Sequence, residues 1–489
     1  MISLKHKSIS GLFWSFIEST ANQIVQFIIG IILARLLSPK EFGIIGMITV
    51  FIAISQSFID SGFSQALIRK TDCNQRDYTT VFYFNLLVGI LFYLILFVFA
   101  ADISQFYNEP ILEDLIKILG IGLILNAFAI VQRTILVKNI DFKLQAKITL
   151  SSSVLSGVIA IILAFKGFGV WSLAIRTVLN QLFISLFLWI NNSWFPTFEF
   201  SVKSFKELFS FGSRLLASGL IYTVYRNIFY LIIGKFFSAT ELGFYNQADR
   251  FSGMPSQNIN FSVERVTYPT LSKLQNQPSN LKSGYKRILK SITLINFIVM
   301  LGIAAIAQPM ILTLIGNKWL PSVPYLQLLC IVNMTLPLHS LNLNLLKVKG
   351  RSDLFLKLEI IKVIIAIPVI LVGIFMGIKA MIVGMIFSSF IAYFINSYYS
   401  SKLIDYSVSE QFKDILPNFV ISLFVAIIVF IMQIFIPISA FFKLIISIPI
   451  GFGIAIIFSN LFNIDGYTEI KNIIKELIWK KRVQTPEHS

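Results

Sequence analysis

A chain of 489 residues that is 56% hydrophobic and only 13% charged is not composed like a soluble protein, in which about a quarter of the residues carry charge. Its apolar residues arrive in runs of roughly twenty, the length that crosses about 30 Å of hydrocarbon, so the bilayer is the solvent to reason with. The formal charge of +17 excludes little by itself, but no basic stretch is long or interleaved enough to form a nucleic-acid groove, and short basic cytoplasmic loops account for it.

Taken in chain order, the first run follows Lys5 and Lys7, the charge order of a signal peptide. It is too long for one and carries Glu18, Asn22 and Gln23, so it is read as a retained first span. Further spans are predicted at 42–63, 79–101, 111–132, 148–165, 168–190, 212–234, 247–269, 291–311, 322–346, 358–376, 380–399, 415–436 and 444–462. The eighth, 247–269, is interrupted by Arg250, Gln257, Asn258, Asn260, Glu264 and Arg265, and must face something wetter than lipid. After Phe462 the segment from Asp465 to Lys481 reads as an amphipathic surface helix, with Ile470, Ile473, Ile474, Leu477 and Ile478 on its apolar side. The fold expected is therefore all-α and polytopic, with about fourteen transmembrane helices.

Lys and Arg set the orientation. With the N-terminus inside, the cytoplasmic segments hold 27 of them and the external loops 7, while Lys117, Arg176, Arg214, Arg226, Arg250, Arg265 and Lys362 fall within spans. The bias holds loop by loop and predicts both termini in the cytoplasm. The longest internal loop, near 191–211, is about twenty residues, which leaves no room for a soluble catalytic domain. Cys73 is placed in a cytoplasmic loop and Cys330 in a span, and His6, His339 and His488 are scattered, so neither a disulfide, a metal site nor a nucleophile is expected. No GxxxxGK[ST] segment is present, and neither a cofactor nor direct use of ATP is expected.

The chain repeats itself at an offset of two hundred. Ala34–Gly43 reads ARLLSPKEFG and Gly234–Gly243 reads GKFFSATELG, with Ser38/Ser238, Glu41/Glu241 and Gly43/Gly243 identical. The inferred unit is six spans, giving bundles at 1–200 and 201–403, an appended helix pair at 404–464 and a tail at 465–489. Six is even, so the two repeats share topology, as in alternating-access carriers that hold substrate near the midplane.

Charges within spans ask for partners or a wet cavity. Lys117 with Glu113 and Asp114, and Lys362 with Glu359, are spaced as local helix pairs. On the first span Gly11, Ser15, Glu18, Asn22, Gln26 and Gly30 form one stripe, matched two hundred residues on by Leu215, Ser218, Tyr222 and Arg226. Such stripes either glue helices together or line a cavity, and two symmetry-related ones favour a cleft between the first and seventh spans. Arg226, Arg265, Arg250, Arg176 and Arg214, with Asn22, Gln26 and Tyr222, are the candidate substrate-binding residues, because guanidinium forks match phosphate. Glu18 and Glu264 are candidates for ion coupling or charge balance.

The segments GLFWSFIESTANQIVQFIIGIILARLLSPKEFG (11–43), DSGFSQALIRK (60–70), GFGVWSLAI (167–175), LFSFGSRLLAS (208–218) and IIGKFFSATELGFYNQADRF (232–251) resemble the polysaccharide biosynthesis and export family. These are the Wzx-type flippases of the multidrug, oligosaccharidyl-lipid and polysaccharide exporter superfamily. The resemblance implies two six-helix bundles around an alternately opening, cationic cleft, with a helix pair appended. It implies undecaprenyl-diphosphate-linked oligosaccharide as cargo, moved to the periplasmic leaflet of the bacterial inner membrane for O-antigen, capsule or exopolysaccharide. Polymerase and export proteins of the same assembly line would be partners. The DSGFS segment matches a helix-end motif of the family and is given a structural role. Three other readings stay open: a drug/cation antiporter of the same superfamily, a peptidoglycan-precursor flippase, and a membrane polysaccharide polymerase or glycosyltransferase.

Overall fold

A computed structural model of the chain describes residues 4–472 and 475. In the first part of the chain the helices are α1 (Leu4–Leu36), α2 (Pro39–Asp60), α3 (Phe63–Arg69), α4 (Gln75–Val98), α5 (Ala100–Tyr107), α6 (Leu112–Lys138), α7 (Phe142–Phe165), α8 (Val170–Asn191) and α9 (Val202–Phe236). They are followed by α10 (Ala239–Lys273), α11 (Pro278–Ala305), α12 (Ala307–Leu314), α13 (Ser322–Met334) and α14 (Leu336–Val348). The last four are α15 (Ser352–Met376), α16 (Ile378–Ile404), α17 (Val408–Phe435) and α18 (Ala440–Leu461).

Among the described residues, 13 helical segments are long and apolar enough to cross a membrane, with α2–α3 and α13–α14 each counting as one. Of the fourteen spans predicted, the eighth is the one that this criterion leaves out. The long helix outside the thirteen is α10, whose polar residues lower its hydropathy although its backbone stays helical past Pro255 and Pro269. The loop predicted at 191–211 shrinks to 192–201, because α9 starts ten residues earlier than its apolar run. Ser201 caps that start, its hydroxyl accepting the Ser204 N–H at 3.2 Å, and Leu208 is buried one turn on. The chain is helical again over 465–472, where the tail helix was predicted, but Ile473, Ile474, Leu477 and Ile478 lie outside the described residues.

The repeat is visible in the helix boundaries. α1 ends at Leu36 and α2 begins at Pro39; α9 ends at Phe236 and α10 begins at Ala239. Ser38 and Glu41 form a reciprocal capping box, with Ser38 N donating to the Glu41 carboxylate at 2.5 Å and Glu41 N donating to the Ser38 hydroxyl at 3.4 Å. Glu41's counterpart Glu241 likewise donates its N–H to Ser238, at 3.1 Å. A cap of this kind stabilises a helix by about 1 kcal/mol. Two short helices repeat as well: α5 and α12, eight residues each, follow the third and ninth spans.

The chain forms two compact units, Met1–Asn246 and Gln247–Ser489, with the division inside α10. In the first unit α1 packs along α7, α6 packs against α4 and α8, and α9 lies along α2 and α3. In the second, α11 packs against α13 and α17, α15 against α16, and α18 against α12 and α17. There Lys290 joins Asp414 at 2.9 Å and Asp465 at 2.5 Å, while Arg287 reaches Glu469 at 2.7 Å, so the start of the tail is pinned to α11.

Candidate substrate cleft

The site begins at the DSGFS segment, where α2 must stop. Ser61 and Gly62 both take left-handed backbone, φ 46° and 71°, a region that costs most L-residues about 1–2 kcal/mol and glycine little. Asp60 accepts the Ser64 hydroxyl at 2.5 Å and its N–H at 3.4 Å, which restarts the chain as α3. The bend is pressed onto α9: a Cβ on Gly62 would lie 2.7 Å from the Gly212 carbonyl oxygen, and one on Gly212 would lie 2.7 Å from that of Ser61. Two glycines therefore bring backbone to backbone, and the structural role expected of this motif is to fix where α2 and α9 converge.

Next to this junction the two helices enclose a cleft of about 440 Å³. Ala53, Gln56, Ser57 and Asp60 of α2 line it, with Gly62 and Gln65; α9 contributes Leu215, Leu216, Gly219, Tyr222, Thr223, Arg226 and Asn227. The Ser57 and Thr223 hydroxyls hydrogen bond at 3.1 Å, and Arg226 donates to the Tyr222 hydroxyl at 3.2 Å. The charged residues among this lining are one aspartate and one arginine. The cleft is thus polar within apolar helices and nearly charge-balanced in this unit.

Tyr222 and Arg226, on the α9 stripe, line this cleft, whose facing wall is α2 and not the first span expected there. Arg214, on the same helix, is exposed but not part of the lining. The α1 stripe turns elsewhere, to α7 and α8. Glu18 accepts from Gln145 and Thr149, both at 3.1 Å; Asn22 accepts from Ser153 at 2.7 Å; Gln26 donates to Ser153 at 3.1 Å and accepts from Arg176. Glu18, Asn22 and Gln26 thus each meet a partner on a neighbouring helix, the packing arrangement that the stripe pattern allowed. The surroundings of Gly11 lie outside the described residues. Arg250, Glu264 and Arg265 belong to the second unit: Arg250 is half-buried, Glu264 accepts from Asn260 at 3.2 Å, and Arg265 stacks over Phe261 at 4.4 Å. The local pairs Lys117–Glu113 and Lys362–Glu359 form as the spacing predicts, each at 2.7 Å.

Two residues were missed. Asp60 was read only as part of a helix-end motif, and Arg133 as a loop residue just beyond the fourth span. α6 runs on to Lys138, so Arg133 lies inside it, within electrostatic reach of both Glu18 and Asp60. A helix window extended to the Asn139 turn would have found it. Below the bend, Lys70 bridges Asp77 and Glu207, each at 3.1 Å. Desolvation works against its charge, but the two carboxylates outweigh that and hold its pKa above the ordinary lysine value.

Residues 32–324, more than half of the chain, match the family model described as polysaccharide biosynthesis protein. The chain belongs to that family. A family relative, the teichuronic acid biosynthesis protein TuaB of Bacillus subtilis, is 30% identical over 72% of this chain and 74% of its own length. The lipopolysaccharide biosynthesis protein WzxC of Escherichia coli is 26% identical over 76% of each chain. The succinoglycan biosynthesis transport protein ExoT of Rhizobium meliloti is 27% identical over 65% of this chain and 64% of its own. Among solved structures, the lipid II flippase MurJ in an inward closed conformation superposes with a TM-score of 0.76 over 92% of this chain and 98% of that one, at 16% identity. An inward-facing multidrug transporter of the MATE family gives 0.61 over 79% and 96%, at 15% identity. At such identities these likenesses establish the fold: this polysaccharide biosynthesis family member is a many-span membrane protein with a transporter architecture.

Proposed function

We propose that the protein is a flippase, which carries an undecaprenyl-diphosphate-linked oligosaccharide repeat unit from the cytoplasmic to the periplasmic leaflet of the inner membrane for O-antigen, capsule or exopolysaccharide assembly. The observation that carries this reading is a polar cleft, with Arg226 and Tyr222 on its wall, among membrane-spanning helices of a polysaccharide biosynthesis family member. With both termini in the cytoplasm, Arg226 stands ten residues from the external end of α9, about 15 Å at 1.5 Å per residue, which is close to mid-depth. Asp60 and Gln65 then lie toward the cytoplasmic side, where the cargo would enter.

In this mechanism the diphosphate is held by guanidinium groups, Arg226 first, with Arg265, Arg250, Arg176 and Arg214 as the other candidates. The glycan occupies the wet cleft beside Tyr222, and the prenyl tail stays in lipid. The two six-span repeats, 1–200 and 201–403, rock to expose the cleft outward. A ligand bound equally in both states shifts nothing, so net flux draws on an ion gradient, membrane potential or removal of product by a polymerase. Glu18, linked electrostatically to Arg133 and through it to Asp60, is the group proposed to balance charge during that cycle.

The test uses the purified protein in liposomes that contain a short-chain prenyl-diphosphate oligosaccharide. Flipping raises the fraction cleaved by an added glycosidase from the outer-leaflet share toward completion. Cleavage that stays at the level of protein-free liposomes sinks the reading. In cells, alanine at both Arg226 and Arg265 abolishes polysaccharide export at unchanged membrane abundance, and unimpaired export removes the guanidinium role. Asp60 in the cleft also supports a second reading, cation or drug antiport; substrate-dependent proton release from the same liposomes on addition of a lipophilic cation would favour it.

A further inference from the structure

The first turns of α2 and α10 cross in backbone contact. A Cβ placed on Gly43 would lie 1.6 Å from the Ala239 carbonyl oxygen, and one placed on Gly243 would lie 1.9 Å from that of Pro39. Neither position accommodates any residue but glycine while the helices touch. The contact is reciprocal: residue 43 meets 239 and residue 243 meets 39, which is one contact made twice across the two-hundred-residue repeat. Reciprocity of this kind marks a local two-fold relation. Around it Gly46 faces Leu242 and Asn246, at 3.2 and 3.5 Å from its would-be Cβ, and Asn246 donates to the Phe42 carbonyl at 3.5 Å. Phe42, Ile44, Ala239 and Leu242 are buried, so the crossing excludes water. The caps at Ser38 and Ser238 fix the first turns that meet there.

From Gly43 the same helix α2 runs on to Ala53, the first of its residues on the cleft wall, about 15 Å along its axis. We infer that the Gly43–Gly243 crossing is the seal that closes the cleft to the outside, and that its parting is the step by which α2 and α10 open it outward. The inference rests on the alternating-access reading above and on its orientation. At Gly43 and Gly243 the touching surfaces are glycine Cα atoms and carbonyl oxygens, with no side chain between the two backbones, so the crossing point can part without unthreading side chains.

The test reads access and not transport, so it is separate from the identity of the cargo. In a C73S/C330S background, A53C places a reporter thiol on the cleft wall of the reconstituted full-length protein. A membrane-impermeant maleimide should label it from the cytoplasmic face and only slowly from the external face. Adding G43L and G243L forces apart a contact that has no room for a side chain, and external labelling should rise by about tenfold or more, the lower range of overpacking energetics. Unchanged external labelling in protein that reaches the membrane at wild-type level overturns the inference. A second pair guards against misfolding: G46C with L242C, oxidised, should trap the closed form. External labelling of A53C should then fall to background and return on reduction. External access that persists in the cross-linked protein overturns the inference equally. Should the labelling behave as expected while no prenyl-linked sugar is flipped, the seal stands and the cargo reading falls.

Discussion

Ser57 and Thr223 place their hydroxyls 3.1 Å apart and so tie α2 to α9 beside Arg226 of the cleft lining. The tie and the charge are separable. A neutral hydrogen bond contributes about 1 kcal/mol, so S57A with T223V should lower thermal stability modestly and change flipping little. R226A should do the reverse: flipping falls by about tenfold or more, the scale of one charge-assisted hydrogen bond, with little change in the melting temperature. R226K should recover only part of the loss, since a lysine lacks the planar fork that matches phosphate. Flipping assays and thermal unfolding in detergent on the same preparations distinguish the two patterns.

The bend at Gly62 makes a prediction about stability alone. G62A combines left-handed backbone with a Cβ 2.7 Å from the Gly212 carbonyl, and should cost about 1–3 kcal/mol. G212A should cost a similar amount from the other side of the same contact. G219A, on the cleft wall with nothing within 4 Å of its would-be Cβ, is the control and should be neutral or slightly stabilising. Melting temperatures that rank the three differently would contradict the geometry.

The α1 seam separates packing from substrate contact. N22A removes the acceptor for Ser153, and Q26L removes that for Arg176. Each should destabilise by about 1–3 kcal/mol, because a hydrogen bond between helices is lost, to a charged partner in the second case. Turnover per folded molecule should hold within about twofold, on the order of RT in free energy. A large loss of turnover at unchanged stability would instead place this stripe against the cargo.

Lys70 supplies a pH signature. Its folded pKa is raised by Asp77 and Glu207, so its contribution is complete below the unfolded value of about 10.4 and disappears as pH rises through the folded one. The stability advantage of the wild type over K70M should therefore be flat from neutral pH to about 10 and shrink above it. An advantage that grows with alkalinity would mean that the bridge is not what holds α9 to the end of α3 and the start of α4.

Helix starts were the most legible part of this chain. Ser38 with Glu41, and Ser238 with Glu241, are local chemistry, and a cap needs no knowledge of what lies across the bundle. The extension of α9 back to Val202 was hidden because Lys203, Lys206 and Glu207 break the apolar run, although Ser204 and Leu208 are buried. Arg133 was hidden for the opposite reason: hydropathy ended the fourth span at residue 132 while the hydrogen-bonded helix continued to Lys138. The choice between seam and cavity for Glu18, Asn22 and Gln26 could not be made from one helix. Periodicity reports which residues share a face, whereas the partners that occupy it, Gln145, Thr149, Ser153 and Arg176, are more than a hundred residues away.

The polarity of α10 bears on how the protein is made. A helix that carries Arg250, Glu264 and Arg265 partitions poorly into lipid by itself, since each charge at a span centre costs roughly 2.5–3.5 kcal/mol on insertion scales. Its neighbours α9 and α11 belong to the apolar set. Insertion of α10 is therefore costlier than that of either neighbour, and polar contacts that take up its charges offset part of that cost.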